Sequence, residues 1–106
     1  MANYVLLYSG GSMPQTEAEQ AVVLKAWGAW YGSFGSAVAD MGNPFTPTAK
    51  SIASNGAVSN SPVGTMASGY SIITADSLDA AVEIAKMCPV LQGGSQITVY
   101  ETFRVM

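Results

Sequence analysis

The sequence contains seven Asp and Glu residues and no histidine. That absence removes the commonest general base and the commonest metal ligand together, so zinc sites and Ser-His-Asp or Cys-His machinery are excluded. Among the carboxylates, Asp40 stands out. It lies just ahead of Gly42-Asn43-Pro44, which reads as a helix stop: Gly suits a left-handed C-terminal residue and Pro cannot continue the helix. At a helix C-terminus the dipole disfavours an anion and so favours a carboxyl that takes up a proton, as a general base must. The plainer reading is a solvated Asp40, with Asn43 stabilising the turn. Glu101 is the other unusual carboxylate, on an otherwise apolar strand face where a buried charge needs a partner, with Arg104 or Lys50 as candidates. An ion pair or a solvated strand end suits Glu101 better than catalysis.

Aromatic residues supply the binding candidates. Trp27, Trp30 and Tyr31 are spaced to wall an apolar pocket between the first helix and a sheet, since such rings combine stacking area with a polar handle. Their plainer reading is core. Cys88 lacks the positive surroundings that activate a thiol and reads as a core residue ahead of Pro89. Gly10-Gly11-Ser12 has neither the G-x-G-x-x-G nor the G-K-[ST] pattern of a phosphate loop. Gly28, Gly32, Gly35 and Ala39 make a second stripe of small residues, where something packs very close or the helix breaks, and Gly28-x3-Gly32 in a soluble chain means close packing.

These side chains need elements to hold them. Tyr4, Leu6 and Tyr8 alternate with Val5 and Leu7, giving a first strand that is apolar on both faces and therefore central. Thr16 and Glu19 have the capping-box spacing that opens a helix. Val23, Trp27, Trp30, Phe34, Ala37 and Met41 then recur at intervals of three and four, which extends one helical stripe up to Gly42. From Phe45 to Ser68 the composition turns to Ser, Asn, Thr, Pro and Gly, with Asn55-Gly56 marking a turn and a weakly apolar strand beside it. Gly69 to Ala75 reads as a strand, Asp76 and Ser77 as helix caps, and Leu78, Ala81, Val82, Ala85 and Cys88 as the inner face of a second helix. After Gly93-Gly94, Ile97, Val99, Phe103 and Val105 alternate with polar residues in a last strand.

The order βαββαβ predicts an α+β domain with a four-stranded antiparallel sheet and two helices on one face. At 106 residues, 49% apolar and 10% charged, the chain is one domain, residues 1–106, with more apolar surface than a chain this short hides alone. A second copy covering the free sheet face is the simplest remedy, so a homodimer is expected. Four scattered cations (Lys25, Lys50, Lys86, Arg104) against seven acids leave a net charge of −3, which argues against nucleic acid. The uncharged stretch Ala26 to Ala39 is short of the ~20 residues a membrane span needs, and the N-terminus has no basic region of the secretory kind, so a cytoplasmic protein is expected.

At Gly69-Tyr70, at Thr74-Ala75-Asp76-Ser77-Leu78-Asp79-Ala80-Ala81 and at Ala85-Lys86-Met87-Cys88-Pro89, the chain resembles the YCII-related, or DGPF, family. The likeness extends more loosely to Tyr4-Val5-Leu6-Leu7-Tyr8 and the Trp-rich first helix. It implies a ferredoxin-like fold that dimerises into an α/β barrel. Several members carry a His-Asp pair proposed as catalytic, and this chain has no His for it, although Asp40 lies near the place of the acidic partner. The last strand departs as well, reading Thr98-Val99-Tyr100-Glu101 where relatives commonly end in a Glu-Val-Arg-Pro-like stretch.

Three functions are consistent with these residues. The leading one is a homodimeric small-molecule-binding domain with a cleft between sheet and first helix, lined by Trp27, Trp30, Asp40, Asn43 and Tyr70. The second is cofactor-free acid–base or oxygen chemistry on a small apolar substrate with Asp40 as base. The third is a structural or partner-binding module. None of the three implies a cofactor or a metal.

Overall fold

The computed structural model of the chain describes residues 2–11 and 16–104. Ser12, Met13 and Pro14 of the turn expected after the first strand, and Val105 of the last, lie outside the described residues. Four strands form an antiparallel sheet in the order β2 (Val38–Asp40), β5 (Ala67–Ala75), β1 (Ala2–Gly10), β6 (Ser95–Glu101). The two helices, α1 (Glu17–Phe34) and α2 (Leu78–Lys86), complete a ferredoxin-like α+β domain. A 3₁₀ turn, Pro89–Gly93, links α2 to β6. The Asn55-Gly56 turn joins β3 (Ser51–Ile52) to β4 (Val58–Ser59), but this ribbon forms a separate two-stranded sheet. The second strand of the main sheet comes instead from Val38–Asp40, residues expected to be helical.

Alternation along β1 sets the layering. Tyr4, Leu6 and Tyr8 are buried, and they share a core with Trp30 of α1, Ile73 and Ala75 of β5, Ala81 and Ala85 of α2, and Cys88. Val5 and Leu7 point the other way, are half-buried, and stand opposite Ile72 and Tyr70 in the register with β5. Both helix starts follow the expected chemistry: the Thr16 hydroxyl accepts the Glu19 N–H and the Ser77 hydroxyl accepts the Ala80 N–H. Of the inner face expected for α2, Ala81 and Ala85 are buried while Leu78 is 43% exposed. Among the described residues no helix is long and apolar enough to cross a membrane.

Helix α1 ends at Phe34, earlier than its apolar spacing suggests. Gly28, Gly32 and Gly35 lower helix propensity, and the chain turns through bonds from the Ala37 N–H to the Phe34 carbonyl and from the Val38 N–H to the Gly35 carbonyl. Ala37 and Met41 therefore leave the helical stripe. Trp30 closes the core between the two helices, 3% exposed, with its indole N–H donating to the Ile84 carbonyl of α2 at 3.2 Å. Trp30→Ala is expected to cost about 3–5 kcal/mol of stability. Leu24→Ala, on the 72% exposed flank of the same helix, should cost about 0.5 kcal/mol or less. Urea midpoints of the two variants check the contrast.

Inside the core, the Tyr8 hydroxyl donates to the Ser71 hydroxyl at 2.7 Å and lies 3.4 Å from the Cys88 sulfur. Burial pushes the Tyr8 phenol well above its ordinary 10.0 and the Cys88 thiol above its ordinary 9.0. Both groups hold their protons more tightly in the folded chain than in the unfolded one. The stability they contribute is therefore complete below pH 9.0 and falls as pH rises past 9.0 and then 10.0, by at most about 1.4 kcal/mol per pH unit for each group. Urea denaturation at rising alkaline pH should show that decline, and Tyr8→Phe should make it shallower.

Candidate functional site

Strand β5 places consecutive side chains on opposite faces of the sheet. Ser71, opposite Leu6, points into the core and is fully buried, whereas Tyr70, opposite Leu7, lies on the face away from the helices, here called the open face. Strand β2 would put Val38 and Asp40 on one face if it were regular. A bulge intervenes: Val38 stands opposite Ile73 and Asp40 opposite the very next residue, Ile72. Val38 thus packs against the core, and Asp40 joins Tyr70 on the open face.

There the carboxylate of Asp40 is held at both oxygens. The Gly42 N–H donates to Oδ1 at 2.8 Å, and the Tyr70 hydroxyl donates to Oδ2 at 3.3 Å. Gly42 takes φ +72°, and a Cβ on it would collide with the Tyr70 backbone carbonyl, so only glycine lets the chain turn this tightly against β5. The chain then runs on along β5, with Pro44 bridging Gly69 and the Phe45 N–H donating to the Ser68 carbonyl at 2.8 Å. Phe45 stacks on Tyr70, ring centroids 5.8 Å apart and planes 26° apart. A groove of about 300 Å³, lined by Gly10, Gly11, Phe45, Thr46, Met66 and Ala67 among others, opens beside that stack. A second cavity of about 220 Å³ lies against the β3–β4 ribbon at Ile52, Val58 and Val63, away from every candidate residue.

These positions change the argument for two residues. Asp40 and Asn43 are not at a helix C-terminus, because α1 has ended at Phe34 and Asp40 closes a strand, so the helix dipole does not act on the carboxylate. Orientation by two donors takes its place. Trp27 and Trp30 lie on the helix side, in edge contact at 5.6 Å, with Trp27 also 6.2 Å from the Tyr8 ring. The sheet therefore separates the Trp pair from Asp40 and Tyr70, and one cleft cannot be lined by all of them. Asn43 is exposed, and its carbonyl passes close over Gly69. Phe45 escaped the sequence reading, its one signal being a large ring directly after Pro44 in a polar stretch.

Glu101 stands opposite Tyr4 across the β1–β6 pair, and the Tyr4 hydroxyl donates to its carboxylate at 3.4 Å. Burial, and after it the Glu101 charge, raise the Tyr4 phenol above its ordinary value. Glu101 is exposed at the end of β6, so the solvated strand end expected as its plainer reading fits the geometry. Among the described residues no three metal-binding side chains cluster.

No protein-family profile matches the sequence, and no curated protein matches it. Among solved structures the chain is similar to the 5-chloro-2-hydroxyhydroquinone dehydrochlorinase of Burkholderia phenoliruptrix, in complex with 2,5-dihydroxybenzoquinone. The superposition has a TM-score of 0.53 at 16% identity and covers 95% of this chain and 93% of that one. A likeness so complete in length and so low in identity is one of fold, and it shows the ferredoxin-like arrangement of sheet and helices as a whole.

Proposed function

We propose that this chain is a YCII-related small-molecule-binding domain that works as a homodimer, with its ligand site on the open sheet face at Asp40, Tyr70 and Phe45. The carrying observation is the oriented carboxylate and phenol beside a stacked aromatic pair. A planar ligand with hydroxyl groups would find a surface to stack on and an acceptor fixed in place. The fold neighbour holds a dihydroxybenzoquinone, a planar ring of the kind that stacks. Val5, Leu7 and Ile72 are half-buried beside Tyr70, and Tyr100 on the same face is 52% exposed, a patch suited to the open face of a second copy. The partner sheet would roof the site and exclude water from it. Trp27 and Trp30 serve as core on this reading, which moves the cleft from beneath the first helix to the far side of the sheet.

Acid–base catalysis at Asp40 is the second reading, favoured by the two donors that hold the carboxylate in one orientation. A single set of measurements separates the two. Titration calorimetry with hydroquinone, whose phenol groups stay protonated and can donate, should show saturable binding that Tyr70→Phe and Asp40→Asn each weaken about tenfold, the loss expected for one hydrogen bond to a charged group. Turnover of a hydroxylated quinol that Asp40→Asn abolishes would favour the enzyme instead. Unchanged affinity in both variants overturns the site. Light scattering should give twice the chain mass, and Leu7→Asp should reduce it to a monomer.

A further inference from the structure

We infer that Ser71 is the positioning residue of the Asp40–Tyr70 site, acting through a hydrogen-bond chain that runs one way from the core to the Met41 carbonyl. The inference rests on the reading of that site as functional. It starts from a count of protons. The Ser71 hydroxyl lies 2.6 Å from the Met41 carbonyl oxygen, which can only accept, so the single Ser71 proton is committed there. Ser71 must then accept from Tyr8, 2.7 Å away, and that commits the single Tyr8 proton. The Cys88 sulfur, 3.4 Å from the Tyr8 oxygen, is left as donor at the far end. The order is thiol to phenol to hydroxyl to carbonyl, and no member can reverse. Ser71 is 0% exposed, so water does not replace any of these partners.

Met41 is the middle residue of the segment that holds the carboxylate. Its neighbour on one side is Asp40, and on the other Gly42, whose N–H donates to Oδ1. Tyr70 and Ser71 therefore grip one turn from the two faces of the sheet. Tyr70 holds the Asp40 side chain on the open face, and Ser71 holds the backbone from within. Strand β2 needs that grip, because only Val38 and Asp40 pair with β5 and a bulge lies between them.

The polarity of the chain separates positioning from general stability. Ser71→Ala removes the bond to Met41, whereas Tyr8→Phe removes a buried bond of similar strength and leaves Ser71 still donating to Met41. The amide NMR shift of Gly42, followed from neutral to acid pH, reports the Gly42–Asp40 bond without any ligand. Ser71→Ala should lose most of that pH response and weaken the hydroquinone probe about tenfold. Tyr8→Phe should keep the response and stay within about twofold for the probe, although both variants lower the urea midpoint. Ser71→Thr, which retains a hydroxyl, should restore the response, and it carries the test if Ser71→Ala does not fold. Equal behaviour of Ser71→Ala and Tyr8→Phe at Gly42 overturns the inference. Should the wild-type protein not bind the probe, the ligand reading fails while the Gly42 response still decides the role of Ser71.

Discussion

Two helices on one face of a four-stranded sheet leave the molecule with two unlike sides, and every residue of β1 and β5 is assigned to one of them by alternation. Tyr4, Leu6, Tyr8, Ser71, Ile73 and Ala75 go inward and are buried. Val5, Leu7, Tyr70 and Ile72 go outward and are half-buried. Of the three hydroxyls in the inward set, that of Tyr4 meets the exposed Glu101, while those of Tyr8 and Ser71 lie within the core, where an unpartnered hydroxyl costs about 1–3 kcal/mol. Tyr8 donates to Ser71, and Ser71 donates in turn to the Met41 backbone carbonyl, one residue past β2. Burial of one polar side chain in the core thus fixes backbone at the sheet edge.

Much of this architecture was legible. The doubly apolar first strand, the Thr16 and Ser77 caps, the strand ending at Ala75 and the alternation after Gly94 are local patterns with local causes, and local patterns survive folding. The end of α1 was not legible. Phe34, Ala37 and Met41 continue the spacing of Val23, Trp27 and Trp30 without a break, so periodicity alone runs the helix on to Gly42. The competing signal, glycine at 28, 32 and 35 beside serine at 33 and 36, lowers propensity by small steps and marks no boundary. A three-residue edge strand such as Val38–Asp40 is too short to show alternation at all.

The site inherits that uncertainty. Asp40, Asn43 and Tyr70 were reached from residue type and neighbourhood, but which of them share a face depends on the bulge in β2. One extra residue sends Asp40 to the open face with Tyr70 when regular pleating would have turned it toward the core with Val38. Nothing in the triplet Val38-Ala39-Asp40 announces a bulge. Trp27 and Trp30 carried the other ambiguity, since a ring at helical spacing has the same pattern whether it faces a ligand or a core. The structure puts Trp30 in the core with its indole N–H on Ile84, and packs the half-buried Trp27 against Tyr8.

The turn from Asp40 to Phe45 shows how a weak strand can carry a defined geometry. Its ladder is minimal, so side chains and single backbone bonds supply what a longer strand would obtain from regular pairing. The Ala37 carbonyl accepts from both the N–H and the hydroxyl of Thr74, at 2.7 and 3.3 Å. The Met41 carbonyl accepts from Ser71, and the Phe45 N–H donates to Ser68. Gly42 brings the turn against the Tyr70 carbonyl, closer than any Cβ would permit. These bonds come from Thr74, Ser71 and Ser68 of β5, so that central strand acts as the template for the edge. Orientation of the Asp40 carboxylate then depends on Ser71, Gly42 and Tyr70 more than on Asp40 itself. Sequence changes at those three positions, one of them buried on the other side of the sheet, are where the geometry around Asp40 is set.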